Sequence, residues 1–277
     1  MTLAAILVPL QGGIGDAAVL AAGAGLARRF DAALDVLHVD IGEVSEPRLF
    51  DESTCAGFAL GTLERDAAWR RDRAASARRA YDMWQADAGK RLRAVAWRNA
   101  VGEPGTEISV HGRLADLVVL PKPELTEDGG ALLDQVLFGS GRPVLAVPAS
   151  PIAERPRRIA IAWNGGVTVS RAMQVALPLL REAEAVEVIT VAAPGAPDVK
   201  IPDPRTYLSA HGIAADWRRV TAAPAGEIDA LRQAVTAAAP DLLILGAGRG
   251  GWLRRLIAPR RLQALLEAST GPVLLTA

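Results

Sequence analysis

The sequence predicts an α/β protein that consists of two doubly wound domains, each with a five-stranded parallel sheet. One pattern occurs twice, because the apolar runs at 115–121 and 142–148 are repeated at 240–246 and 271–277. Self-similarity of this kind indicates two copies of one structural unit. Short continuous apolar runs such as Leu117–Leu120 are typical of strands buried on both faces of a parallel sheet. Helical patterns alternate with these runs, and this alternation favours right-handed crossovers between parallel strands.

Equivalent landmarks occur in the same order in both halves of the chain. The pairs are Gln11 and Asn164, His38 and Thr190, Trp97 and Trp217, Asp116 and Asp241, and Pro143 and Pro272. The spacing within a pair falls from 152 to 120 residues after the second strand, so the first half carries about 32 extra residues there. Within this insertion, residues 64–84 are rich in Arg, Ala and Glu and predict a long amphipathic helix. Its apolar face needs a cover, which favours association of two chains into a homodimer.

Each half is predicted to alternate strands and helices in the order β-α-β-α-β-α-β-α-β. In the second half, apolar residues recur at helical spacing over 173–180, with Ser170 as a candidate cap and Pro178 as a predicted kink. Similar spacing predicts helices over 228–235 and 262–266. The last of these helices leads into the closing strand of the second half.

Prolines mark the predicted boundary between the two domains. Residues 149–156 are expected to be a linker, since the prolines at 148, 151 and 156 continue neither a helix nor a strand. The expected domains are therefore 1–148 and 157–277.

The composition narrows the class of function. The 277 residues include 31 Lys+Arg and 31 Asp+Glu, so no net field attracts the chain to nucleic acid or to an anionic membrane. Cys55 is the single cysteine, which excludes an intrachain disulfide and a multi-cysteine metal site. No apolar run reaches the ~18 residues of a membrane span, and residues 1–9 carry no basic leader. We therefore expect a cytoplasmic protein.

With this order of elements, the chain resembles the universal stress protein family in its tandem form with two domains per chain. Residues 159–165, the run 241–246 with its glycine-rich turn, and residues 271–275 carry most of the likeness. The resemblance implies domains related to the adenine-nucleotide α hydrolases, whose closing strands pair across a dimer interface. In a tandem chain it implies an internal pseudo-dimer, in which Val144–Val147 meets Val273–Thr276.

The resemblance also implies a nucleotide site, because some members of the family bind ATP or AMP. Those members have an acidic residue after the first strand, and Gly-x-x-Gly, nine residues and Gly-Ser or Gly-Thr after the fourth. Here Asn164 takes the acidic position, Arg249 takes the second glycine position, and Pro259-Arg260 replaces the final pair. The candidate binding residues are Trp163, Asn164, Val191, Gly246, Gly248, Arg249, Gly250 and Arg260. Glycines let backbone N–H groups approach a phosphate, and arginines add charge.

The first half departs further from the nucleotide-binding pattern. Leu120-Pro121-Lys122-Pro123 replaces the glycine-rich loop, and Gln11 takes the acidic position. We therefore expect this half to be structural and to bind no nucleotide.

Other interpretations of the same residues stay open. The glycines after 245 are also typical of a plain strand-to-helix turn, and Trp163 of core packing. A dinucleotide site of the Rossmann type is disfavoured, because no further βαβ unit follows the glycines. His38, His111 and His211 have no partner at a spacing typical of a triad or a metal site, so no catalytic or metal-binding residue is predicted.

Two functions are compatible with this sequence. The first is a non-enzymatic stress-response protein that acts through contacts with a protein partner and has a vestigial or altered nucleotide site in its C-terminal domain. The second is a regulatory switch that binds ATP or AMP through the C-terminal glycine-rich loop and hydrolyses ATP slowly or not at all.

Overall fold

Ten strands alternate with eight α-helices in the part of the chain that the computed structural model describes, residues 3–41, 56–87, 91–125, 129–192, 201–223, 226–247 and 259–277. Within these ranges, the side chains of residues 56–66 and 259–261 are not described. The first half contains β1 (Ala5–Leu10), α1 (Asp16–Phe30), β2 (Ala33–Asp40), α2 (Ala56–Asp87), β3 (Ala94–Val101), α3 (Pro104–Gly112), β4 (Leu117–Pro121), α4 (Gly129–Ser140) and β5 (Val144–Val147). The second half contains β6 (Arg158–Ala162), α5 (Val167–Leu180), β7 (Ala185–Ala192), α6 (Pro204–Ala210), β8 (Asp216–Thr221), α7 (Glu227–Ala238), β9 (Leu242–Gly246), α8 (Pro259–Ala268) and β10 (Val273–Thr276).

All ten strands belong to one sheet, in the order β3-β2-β1-β4-β5-β10-β9-β6-β7-β8. Neighbouring strands within each half are parallel. The halves join where β5 and β10 run antiparallel, with Leu274 opposite Leu145 and Leu275 opposite Val144. The predicted α/β class with parallel sheets is confirmed, and the closing strands meet as the resemblance implies.

One aspartate in each half makes the same contact, which shows the repeat at the level of single hydrogen bonds. Asp116 Oδ2 accepts hydrogen bonds from the backbone N–H groups of Ala4 and Ala5, at 2.7 and 3.0 Å. Asp241 Oδ2 accepts them from Arg157 and Arg158, at 2.8 and 2.9 Å. Each aspartate precedes the fourth strand of its half and fixes the start of the first strand beside it.

Each face of the sheet carries one core that extends across both halves. Helices α1, α2, α5 and α6 cover one face, and α3, α4, α7 and α8 cover the other. Successive residues of a strand enter opposite cores, so Ile159 and Ile161 pack on the α5 side while Ala160 and Ala162 pack on the α7 side. Because both faces are covered, the central strands consist of continuous apolar runs.

The inserted helix α2 is longer than the predicted range 64–84, and its C-terminal part packs against the first half. Ala77 and Tyr81 are buried in the core on the α1 side. The Tyr81 ring lies 4.8 Å from the ring of Trp97 on the edge strand β3. This chain therefore covers part of the apolar face of α2 itself, which removes the argument for a second copy there; the homodimer stays a prediction. Among the described helices, none combines the length and the apolar character of a membrane span.

Helix α5 begins earlier than its predicted cap. Its N-cap residue is Gly166, so Ser170 lies inside the first turn, and the Ser170 hydroxyl donates to Gly166 O at 2.9 Å. The hydrogen bond from Gly166 N–H to the Asn164 side chain forms a turn directly before the helix, so α5 begins at Val167 and not after Ser170. The proposed cap at Ser170 is therefore wrong. Pro178 lies inside α5, where the sequence predicts a kink.

The single cysteine, Cys55, lies outside the described residues.

Candidate functional site

The carboxyl ends of β6 and β9 carry part of the predicted second-half site. Asn164 follows β6, and its Oδ1 accepts a hydrogen bond from the backbone N–H of Gly166 at 2.9 Å. Gly246 ends the neighbouring strand β9, in which Ile244 pairs with Ile161 of β6. Asn164 and Gly246 therefore flank the point at which the strand order reverses, where open α/β sheets bind ligands.

Two other predicted residues of this site are buried. Trp163 is 4% exposed, and its indole Nε1 donates to Pro202 O at 3.1 Å. Val191 is 5% exposed and belongs to the core on the opposite face of the sheet. Trp163 thus packs in the interior, as the core interpretation of this residue expects, and the two side chains do not share one face of the sheet.

Packing alone requires the glycine at position 246. A Cβ atom there would lie 2.3 Å from the backbone N of Val169 and 2.5 Å from Thr168 Oγ1. The end of β9 thus approaches the start of α5 more closely than any side chain allows. The remaining candidate residues stay predictions, since Gly248, Arg249 and Gly250 and the side chain of Arg260 in α8 lie outside the described residues.

The first half has a buried lysine where the second half has its glycine-rich turn. Lys122 follows β4 and is 1% exposed, and its Nζ donates to Leu266 O at 2.6 Å and to Ser269 O at 2.5 Å. Both carbonyls lie at the C-terminal end of α8, where unpaired carbonyls and the helix dipole attract a cation. Burial lowers the pKa of the Lys122 ammonium, and the nearby Glu124 and Glu267 oppose that shift. Lys122 therefore connects the first half to the second.

A cavity of about 350 Å³ lies at the carboxyl ends of the first-half strands. Leu10, Val39, Ile108 and Leu132 supply apolar lining. The polar lining residues are Gln11, His38, Asp40, Arg70, Arg73, Glu103 and Gln135. None of these residues belongs to the predicted binding site, which we placed in the other half.

The inserted helix α2 forms one wall of this cavity. Gly12 has a φ of +71°, and a Cβ atom on it would lie 2.2 Å from the backbone O of Arg73, so the helix backbone rests on the loop after β1. The Arg73 Nε donates to Gln11 O at 2.7 Å. Its guanidinium carbon lies 4.7 Å from the centre of the Trp69 ring. These contacts hold the Arg73 side chain in one orientation at the cavity wall.

The buried residue His38 also lines the cavity. Its Nδ1 lies 2.9 Å from Leu10 O, and because a carbonyl only accepts, Nδ1 carries the proton and Nε2 is an acceptor in the neutral ring. The imidazole stacks on Trp97, with ring centres 6.2 Å apart. In the second half the equivalent pair also interacts, since the Trp217 Nε1 donates to Thr190 Oγ1 at 2.9 Å.

A buried carboxylate holds the loop between β1 and α1. Asp16 Oδ1 accepts a hydrogen bond from the Gln11 N–H at 3.0 Å, and Oδ2 accepts one from the Gly12 N–H at 2.8 Å. Burial raises the pKa of Asp16, against the opposing effect of these N–H groups and of the Arg73 charge. The loop that supports the cavity wall therefore depends on a titratable group.

Replacement of Asp16 by asparagine is expected to remove a pH dependence of stability. With its pKa raised in the folded chain, Asp16 binds more protons folded than unfolded, so its contribution is complete below the unfolded pKa of about 3.9 and is lost as the pH rises through the folded pKa. Asp16→Asn also sets an amide NH₂ against a backbone N–H, which costs about 1–3 kcal/mol at neutral pH. Urea unfolding of both proteins from about pH 3.5 to 7 measures both effects. Identical pH profiles for the two proteins would contradict the first expectation.

One signal in the sequence could have indicated the first-half cavity. The insertion follows the second strand, so it leaves the sheet at the same edge as Gln11. Trp69, Arg70 and Arg73 then bring an aromatic ring and two cations to one helical face, because residues three and four apart are neighbours on a helix. The position of that face over the loop after β1 depends on tertiary packing.

Solved structures with this fold match the chain along almost all of its length. A universal stress protein from Archaeoglobus fulgidus DSM 4304 is 15% identical, with a TM-score of 0.67, and the match covers 98% of this chain and 95% of that one. A functionally unknown protein from Pseudomonas aeruginosa PAO1 is 16% identical, with a TM-score of 0.58, and 99% and 92% of the two chains are covered. The cytoplasmic domain of a prokaryotic cation chloride cotransporter is 11% identical, with a TM-score of 0.51, and 99% and 95% are covered.

Similarity at the level of sequence is much weaker. No family model matches the chain, and no curated protein matches it. The arrangement of two halves around β5 and β10 is thus recognisable by its structure, at identities of 11 to 16%. The chain is similar over its whole length to universal stress proteins and has their fold in its tandem, two-half form.

Proposed function

We propose that this chain is a stress-response protein of the universal stress protein family, which acts in the cytoplasm through contacts with a protein partner and is not an enzyme. The observation that carries the proposal is the contact of Lys122. In members that bind ATP, the turn after the fourth strand receives phosphate. Here the same turn in the first half directs its cation to Leu266 O and Ser269 O of the other half. The first domain, residues 1–148, is accordingly a structural partner of the second, residues 157–277.

The comparison with other folds of this type supports action as part of a larger assembly. The same two-half arrangement occurs as the cytoplasmic domain of a cation chloride cotransporter. Exposed apolar side chains are also present at the C-terminal end of α3, where Val110 in the helix is 46% exposed and Leu114, two residues beyond its last residue Gly112, is 89% exposed. A partner protein that covers α3 would bury them.

A nucleotide-responsive switch is the second candidate function. Its support is the position of Asn164 and Gly246 on both sides of the point where the strand order of the second half reverses. With its Oδ1 bonded to Gly166 N, the Asn164 side chain keeps its NH₂ as a donor for a ribose or an adenine edge. Gly248, Arg249, Gly250 and Arg260 would then contact the phosphates of ATP or AMP.

Calorimetric titration with ATP, ADP and AMP separates the two functions. We expect no saturable binding up to about 1 mM and no release of phosphate from ATP. Asn164→Ala and its first-half equivalent Gln11→Ala are the matched variants. Saturable ATP binding at one site per chain, lost in Asn164→Ala and kept in Gln11→Ala, would overturn the first function in favour of the second.

Affinity purification of the tagged protein from stressed source cells tests the contact with a partner. We expect a co-purifying protein whose recovery falls several-fold when Leu114 is replaced by aspartate, because a charge in an apolar contact must be desolvated. Equal recovery with the parent protein and with Leu114→Asp would exclude the C-terminal end of α3 as the contact surface. The absence of any specific co-purifying protein would contradict the proposed mode of action.

A further inference from the structure

We propose that the first-half cavity is a binding site for small aromatic carboxylates, with the guanidinium of Arg73 binding the carboxylate group. The proposal does not depend on the function proposed above, because neither Lys122 nor the exposed Val110 and Leu114 line this cavity. Its basis is the juxtaposition of a fixed cation, a tryptophan and an apolar floor around one cavity.

The size and the lining of the cavity suit a compact organic molecule. Its volume of about 350 Å³ lies within the roughly 300–1,000 Å³ that small-molecule sites occupy. Leu10, Ile108 and Leu132 form a buried apolar floor, where a ring would displace water. The ring of Trp69, 48% exposed, lines the same cavity and offers a flat surface to a second ring.

Arg73 supplies the group that would bind the anion. Its Nε donates to Gln11 O, and its guanidinium carbon lies over the Trp69 ring, so two contacts hold the guanidinium at the cavity wall before a ligand arrives. Within the described part of the chain, neither Nη group of Arg73 has a hydrogen bond or an ion pair. The two free Nη groups of this guanidinium can each direct an N–H to one of the two oxygens of a carboxylate.

The charges around the cavity favour a monoanion over a phosphate ester. Arg70 and Arg73 are balanced by Asp40 and Glu103 in the lining, so a dianion would meet two carboxylates. The N-terminus of α3, where a phosphate could bind, is already capped, since Glu103 accepts from Gly105 N at 2.9 Å and from Thr106 N at 2.6 Å.

Lys122, the remaining cation after β4, is turned away from this site into the contact with α8. Among the described residues after β4, no cation is directed into the cavity, and the cation of the site comes instead from the inserted helix α2.

Calorimetry with a matched pair of probes tests the site. Indole-3-acetate and indole-3-acetamide share one ring and differ in charge, and AMP serves as the phosphate-bearing probe. We expect saturable 1:1 binding of indole-3-acetate with a Kd of about 1 mM or tighter, and binding at least about tenfold weaker for the amide and for AMP. No saturable binding of indole-3-acetate at about 5 mM, equal affinity for acid and amide, or tighter binding of AMP would each overturn the proposal.

Three variants locate the binding in this cavity. Arg73→Gln is expected to weaken indole-3-acetate binding at least about tenfold. Arg78→Gln, one turn further along α2, where the side chain pairs with Asp82 and does not line the cavity, is expected to leave it unchanged. Asp40→Asn removes a negative charge from the lining and is expected to tighten binding about threefold, a gain that misfolding cannot produce. Unchanged affinity in Arg73→Gln, or weaker binding in Asp40→Asn, would place the carboxylate elsewhere.

Discussion

Replacement of Lys122 by methionine is expected to lower the free energy of unfolding by about 2–4 kcal/mol. The substitution keeps an unbranched side chain of similar length but removes the donor for Leu266 O and Ser269 O. A buried carbonyl without a partner costs about 1–3 kcal/mol, and loss of a cation at the end of α8 adds up to about 2 kcal/mol. Release of the buried charge, whose desolvation lowers the pKa of Lys122, offsets part of this loss.

The pH dependence of the same variant has a definite sign. Because the pKa of Lys122 is lower in the folded chain than in the unfolded one, the unfolded chain binds more protons between the two pKa values. Stability from this group therefore increases as the pH rises through that window and is complete above the unfolded pKa of about 10.4. Lys122→Met is expected to lack this increase.

An exposed cation with a similar contact provides the control for Lys122→Met. Arg113 Nε donates to Gly139 O at 3.3 Å on the surface, and Arg113→Met is expected to change stability by less than about 0.5 kcal/mol. Guanidinium chloride unfolding of the three proteins gives the comparison. Equal stability of Lys122→Met and the parent protein would mean that desolvation of the ammonium cancels its two hydrogen bonds, and that this contact does not hold the halves together.

The features that the sequence could predict are those set by local pattern. Continuous apolar runs identify strands covered on both faces, and their repetition identifies two copies of one unit. The equivalence of Asp116 in the first half and Asp241 in the second also follows from their positions in the sequence. In the structure, each carboxylate accepts hydrogen bonds from the backbone at the start of the neighbouring strand in its own half. The helix 64–84 was predictable from composition, although its full extent from Ala56 to Asp87 was not.

The features that could not be predicted depend on contacts between distant parts of the chain. Lys122 lies 144 and 147 residues from its two partners, so nothing in its neighbourhood distinguishes it from an exposed lysine. Arg73 and Gln11 are 62 residues apart, and the cavity between them exists only once α2 lies over the loop after β1. The glycine-rich motif therefore placed the predicted ligand site in the second half. The cavity lies in the first half, because it depends on packing between residues that are distant in the sequence.

Replacement of Gly12 by alanine is expected to have the second large effect, because Gly12 is where α2 contacts the loop after β1. The φ of +71° costs an alanine about 1–2 kcal/mol. The added Cβ would lie 2.2 Å from the backbone O of Arg73, so the helix or the loop must move, at a further ~1–3 kcal/mol. We expect a total loss of about 2–5 kcal/mol, together with faster hydrogen exchange in the C-terminal part of α2.

Two further glycines separate the backbone cost from the contact with α2. Gly13→Ala adds a Cβ with nothing within 4 Å and no positive φ, and is expected to be nearly neutral. Gly165, the second-half equivalent of Gly12, has a φ of +73°, but its Cβ would meet only the side chain of Ile201 at 2.9 Å, which can rotate. Gly165→Ala therefore reports mainly the cost of the positive φ. A larger loss for Gly12→Ala than for Gly165→Ala measures how firmly α2 is held on the first half, and equal losses would mean that α2 shifts freely and that the cavity wall it forms is not fixed.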